Sequence, residues 1–240
     1  MSRKEPDDLV INGSMKIPGG TFHSVKIAGS AKITSDLVCK EFSCAGHATV
    51  DGDVESETFV VRGNSSVHGS VETQILKISG NTKVNGQVKG QEINIDGSIL
   101  VDGSCHAEEM RVRGYTKIAG DCEAESFQTY GCFQIEGLLN AGRIYIQPSG
   151  ECRAKEIGGE HIEVKRRGSF LPSLLRPFFS NSLTTHIIEG DDIYLEDTKA
   201  TIVRGNHITL GPGCDIQLVE YKTSLICDDK ANVKEKVQQQ

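Results

Sequence analysis

Apolar positions between Ile27 and Ile144 recur every seventeen residues, a period that fits neither an extended amphipathic helix nor one long strand. Glycines mark the period at Gly29, Gly46, Gly63, Gly80, Gly97, Gly114 and Gly131. A second series stands six residues behind them, from Gly52 through Gly137, with Ser35 at its head. Two residues before the first series come Ile27, Cys44, Val61, Ile78, Ile95, Val112 and Thr129, and four after it come Ile33, Val50, Val67, Val84, Val101, Ile118 and Ile135. Eight after it stand Leu37, Val54, Val71, Val88, Cys105, Cys122 and Leu139; thirteen after it stand Phe42, Phe59, Leu76, Ile93, Met110, Phe127 and Ile144.

Four apolar columns in seven copies predict a solenoid, whose repeats bury their apolar faces only against their neighbours. Seventeen residues cannot hold a helix pair, and the β-branched residues with spacings of two, four and six suit short strands. The expected unit is a coil of three short strands and three bends, with glycine supplying the unusual dihedrals of a bend. Stacked coils about 4.8 Å apart must repeat one backbone shape so that every amide finds a partner. The expectation is an all-β, single-stranded parallel β-helix of about ten rungs.

The register loosens at both ends. Gly13 precedes Gly29 by sixteen residues, so Ile11, Gly13 and Ile17 read as an irregular end rung, and Pro148 takes a glycine position. The expected division is β-helix rungs over 1–163, a basic and apolar insertion over 164–186 with its loop near 165–186, further rungs over 187–227, and a disordered polar tail over 228–240. In the insertion, Arg166, Arg167 and Arg176 accompany Phe170, Leu171, Leu174, Leu175, Phe178 and Phe179, while Pro172 and Pro177 argue against a long helix. These residues are a candidate contact with a partner or the surface of a membrane, the alternative being a loop that covers the coil itself.

Composition narrows the function. The net charge of -7 excludes a general basic footprint, so direct nucleic-acid binding is not expected. No apolar run is long enough to span a bilayer, and "MSRKEPDDLVING" has no secretion-signal core, so a cytoplasmic location is expected. The eight cysteines form no CxxC pair. Cys44, Cys105, Cys122 and Cys152 fall in inward columns as packing residues, while Cys39, Cys132, Cys214 and Cys227 lie outside them. His47, His68 and His106 occupy unrelated rung positions, and Asp51, Asp102 and Glu136 share an outward column, so no catalytic or metal cluster is expected. No cofactor or small-molecule substrate is expected either; GxxxxGK[ST] is absent.

The repeated words "VRGNSSVHGSV", "ISGNTKVNGQV" and "VRGYTKIAGDC" resemble the bactofilins, bacterial polymer-forming cytoskeletal proteins, over most of Val25 to Ile144. The resemblance implies a right-handed coil that assembles without nucleotide into filaments or sheets, often beneath the membrane, and scaffolds machinery for cell shape or motility. It implies self-association, with a related subunit as a further candidate partner. Unpaired backbone at the first and last rungs makes Leu9, Ile11, Leu225 and Ile226 candidate polymer-end contacts. Two alternatives remain open: a left-handed hexapeptide β-helix acyltransferase, whose six-residue spacing these columns do not match, and a β-helical binding module that does not polymerise.

Overall fold

The computed structural model describes residues 6–166 and 181–239. Among them every regular element is a strand, and the strands pair in parallel, turn upon turn. The fold is a parallel β-solenoid of about 13 turns, more than the ten expected. One strand lies beyond the expected rungs, Asn232–Gln238, paired with Asp215–Tyr221.

The chain divides into two compact units, the first comprising 6–110 with 114–120 and the second 111–113 with 121–239. In the first unit an eight-residue strand alternates with a four-residue strand, as in Val71–Ile78 followed by Asn81–Val84. The pairing follows the written period: Leu37 lies beside Val54, Val54 beside Val71 and Val71 beside Val88. At the irregular first rung, Leu9 pairs with Val25, a step of sixteen. One residue fewer is absorbed in the loop between the strands, which leaves both ladders in phase.

All twenty-eight positions of the four columns are buried, including Thr129, whose hydroxyl accepts a hydrogen bond from the Gly131 amide at 3.2 Å. The interior holds two further columns that hydropathy did not reveal. One, two residues after each glycine, contains Ala31, Ala48, Ser65, Thr82, Ile99, Thr116 and Phe133, all buried. The other, ten residues after, runs through Cys39, Ser56 and Thr73, so Cys39 belongs to a column after all. Both were hidden because serine and threonine read as surface residues in a hydropathy pattern. Phe42 stacks on Phe59 with ring centroids 4.5 Å apart, a direct product of equal residues one turn apart.

The bend glycines do not serve the purpose expected of them. Among the described residues, positive φ is confined to Gly20, Gly213 and Asp197. At Gly63 and Gly80 the need is for space: an added Cβ would fall on the carbonyl oxygen of Gly46 or Gly63, the glycine one turn earlier. Stacked bends approach so closely that only hydrogen fits between them.

In the second unit the strands lengthen, as in Cys132–Ile146 and Glu151–Val164, and the step between turns varies. Ile188 pairs with Val203, fifteen residues on, and Val203 with Val219, sixteen on. Register shifts between Ile135 and Leu138 and between Gly205 and His207 take up the differences. The strand Glu151–Val164 precedes the insertion and Ser182–Leu195 follows it, with Cys152 beside Leu183 and Ile157 beside Ile188, so the described ladder on either side is in register. The polar tail expected to be disordered contains the strand Asn232–Gln238, paired with Asp215–Tyr221. Backbone pairing supplies what its side chains do not.

Candidate assembly surfaces

An assembly surface on a solenoid is either a strand edge or a side face, and the two differ in what they present. At an edge the backbone itself is the adhesive. Leu9–Ile11 pairs with Val25–Ile27 on one side, and among the described residues no strand pairs with its other side. Ile11 is buried at 1% exposure beneath that edge, Leu9 is half-buried, and Val10 and Met15 are exposed. Near the C-terminal end of the sequence, Leu225 and Ile226 pair with Ile208 and Thr209, and among the described residues no strand pairs with their other side. Ile226 is 62% exposed, the most open large apolar side chain among the described residues. Asn232–Gln238, paired with Asp215–Tyr221 of the same strand, presents Lys234, Glu235 and Lys236. The two edges therefore differ, one carrying the exposed apolar Val10 and Met15 with Lys16, the other an exposed isoleucine and a following strand of alternating charges.

The side faces carry ladders made by stacking like positions. Asp36, Asp53 and Ser70 occupy one bend column, and each accepts a hydrogen bond from the amide of the next turn: Asp53 to Asp36 at 2.9 Å, Ser70 to Asp53 at 2.7 Å and Gln87 to Ser70 at 3.3 Å. Asp51 lies 3.0 Å from both Lys32 and His68, and Asp102 is 3.1 Å from Lys83. The Lys32 hydrogen bond, with a smaller contribution from His68, holds the Asp51 carboxyl below its usual range. This outward acidic column is thus an ion-pair ladder. Farther along, His161 and His207 each lie 3.1 Å from Asp192, on either side of it.

No group of His, Cys, Asp or Glu among the described residues has the arrangement of a metal site. The thiols are the most perturbed groups. Burial pushes Cys39 and Cys152 up to about 12, and Cys44 and Cys214 up to about 11, the reverse of the shift that makes a nucleophile. Their surroundings are those of packing residues.

Of the insertion residues, Arg167, Phe170, Leu171, Leu174, Leu175, Arg176, Phe178 and Phe179 lie outside the described residues. Arg166 lies within them and is engaged by the coil. Its amide donates to Glu196 at 2.8 Å, its guanidinium donates to the Pro212 carbonyl at 2.8 Å, and Asp197 stands 3.5 Å away. The clamp holds the bend at Asp197, one of the positive-φ positions, against Pro212. Nothing in the composition of the insertion distinguishes Arg166 from Arg167; the carboxylates that capture it come thirty residues later.

The repeat architecture has a counterpart among known proteins. A family model for bactofilins, described as polymer-forming cytoskeletal, matches residues 4–89 and 56–140, together more than half of the chain. The chain belongs to the bactofilin family. Two uncharacterised proteins of Bacillus subtilis (strain 168) are similar to it. YhbE is 46% identical over 102 residues, 42% of this chain and 43% of YhbE, and YhbF is 43% identical over 101 residues, 42% of this chain and 41% of YhbF. This bactofilin therefore spans less than half the length of the curated relatives it matches. No solved structure matches it at a significant level. The family match ends near residue 140, where the seventeen-residue words end and the longer strands of the second unit begin. No described helix is long and apolar enough to cross a membrane.

Proposed function

We propose that this bactofilin is a nucleotide-independent, self-assembling scaffold that forms filaments or sheets and positions morphogenetic or motility machinery. The observation that carries the reading is the pair of strand edges at Leu9–Ile11 and Leu225–Ile226, each bonded on one side among the described residues, in a chain of a polymer-forming family. Parallel rungs satisfy their amides only through a neighbouring rung, so joining two edges extends the same ladder and leaves fewer groups unpaired. Leu9, Ile11, Leu225 and Ile226 are the proposed end contacts. A related subunit with the same register would present the same ladder and co-polymerise by the same bonds.

Sedimentation of purified protein, with and without nucleotide and with a chelator present, tests this reading. Material that pellets equally in every condition supports it; protein that stays in the supernatant at high concentration supports the non-polymerising binding module.

The insertion is the proposed route to the inner face of the membrane. Arginine next to Phe and Leu suits an anionic interface, which needs no spanning segment. Because Arg166 is held by Glu196 and the Pro212 carbonyl, the informative variants are Arg167→Glu/Arg176→Glu and Phe178→Ser/Phe179→Ser. Wild type should co-sediment with anionic vesicles and not neutral ones, and both variants should lose the association. A wild type that ignores anionic vesicles assigns the segment to the coil or to a protein partner.

A further inference from the structure

A groove on the side of the first unit is not used by strand pairing or by the end contacts. It has a volume of about 770 Å³ and crosses six successive turns in the direction of stacking, from Thr21–His23 to His106–Glu108. The floor is the column that begins at Phe22, beside Cys39, and continues ten residues after each glycine through Cys39, Ser56, Thr73, Gly90 and Ala107, all small beyond the first turn. Immediately beyond it two consecutive residues point outward, as at Lys40 and Glu41, so the strand kinks there and leaves a hollow between its flanking rows.

The rim is predominantly acidic. Glu55, Glu57, Glu72 and Glu108 face the hollow against Lys40 and Lys89, and Lys89 is already held by Glu72 at 2.9 Å. The second unit has a hollow of the same construction, with a volume of about 430 Å³. Its floor includes Gly159, Gly190 and Gly205, where an added Cβ at Gly190 would strike the carbonyl oxygen of Gly159. Glu156, Glu160, Glu189 and Asp191 line it with Arg204 and Lys222, and Glu189 and Glu220 engage Arg204 at 3.0 and 2.7 Å. A small-residue floor with an acidic rim therefore occurs in each unit, built from different residues.

We propose that the groove of the first unit binds an extended peptide carrying lysine or arginine at regular intervals. The floor strands are bonded on both sides, as Val71–Ile78 is between its neighbours, so a ligand there cannot add a strand and must be recognised through side chains. Small floor residues admit the aliphatic stems of lysine and arginine while the rim carboxylates take their charges. The spacing suits an extended chain. Glu57 and Glu108 are three turns apart, about 14 Å at about 4.8 Å per turn, and four residues of extended peptide cover about 13 Å. The inference does not depend on polymer formation.

Fluorescence anisotropy with a short labelled peptide of alternating lysine and serine tests it, using a glutamate and serine peptide as the reverse-charge control. Glu57→Gln/Glu108→Gln removes two groove charges; Asp51→Asn/Asp102→Asn removes two from the ion-paired face. Circular dichroism checks that both variants remain folded, and sedimentation scores their assembly separately. Wild type should bind the lysine peptide and not the glutamate peptide. The groove variant should bind it about fivefold more weakly or worse, and the other variant within about twofold of wild type. Equal weakening in both variants overturns the proposal in favour of attraction to general negative charge. Absence of binding by wild type overturns it outright.

Discussion

The tightest constraint on any residue in this coil comes from the residue one turn away. An added Cβ at Gly80 falls on the Gly63 carbonyl oxygen, whereas at Gly13 it meets nothing within 4 Å. Gly80→Ala should cost about 1–3 kcal/mol and Gly13→Ala less than about 0.5 kcal/mol, read from denaturant midpoints. Thr82 makes the opposite case: its buried hydroxyl has no partner, so Thr82→Val should leave stability unchanged or raise it by about 1 kcal/mol. The thiols supply a pH dependence. A folded pKa of about 12 for Cys39 and Cys152 and about 11 for Cys44 and Cys214 lies above the ordinary value of 9.0. The unfolded chain then releases these protons first, so their contribution is fully present below pH 9 and is lost as pH rises from there through the folded values. Urea titrations at rising pH should show falling stability across that window, and Cys39→Ala/Cys152→Ala should show a shallower fall. Thiol labelling at neutral pH should reach the half-buried Cys132 and Cys227 before the six buried cysteines.

At the scale of the strand, legibility followed repetition. From Gly29 to Gly131 equal spacing revealed both the period and four inward columns, because steps such as Val54 to Val71 and Val71 to Val88 are equal. Ser65, Thr82 and Thr116 hid a fifth column, since a buried hydroxyl and an exposed one are written with the same letters. Beyond Ile144 the step changes from turn to turn, and no fixed-period reading can follow register shifts such as that between Gly205 and His207. The Arg166 clamp was illegible for a further reason: its partners Glu196 and Pro212 become neighbours only through the stacking. The strand Asn232–Gln238, mostly polar on its exposed face, is held by its ladder to Asp215–Tyr221. Removing 228–240 should therefore strip a partner from Asp215–Tyr221, lower the thermal midpoint and promote aggregation, visible by light scattering. If that truncation melts and scatters like the full chain, the strand contributes nothing to the coil.

For the molecule as a whole, the ladder of backbone hydrogen bonds repeated turn by turn within the chain is proposed to join chain to chain as well. Side-face ladders such as Asp51 with Lys32 and His68 engage their own turns, which leaves the edges as the surfaces with the most to gain from a partner. Assembly through edges makes a structural demand that lateral association does not: the rung spacing has to continue along the polymer axis. Fibre diffraction from filaments of purified protein, grown without nucleotide, measures this directly. Assembly through the edges should give a meridional reflection at about 4.8 Å, together with loss of filaments in an Ile226→Asp variant that remains folded. Filaments in which that spacing lies across the axis, or protein that remains monomeric at high concentration, would contradict it.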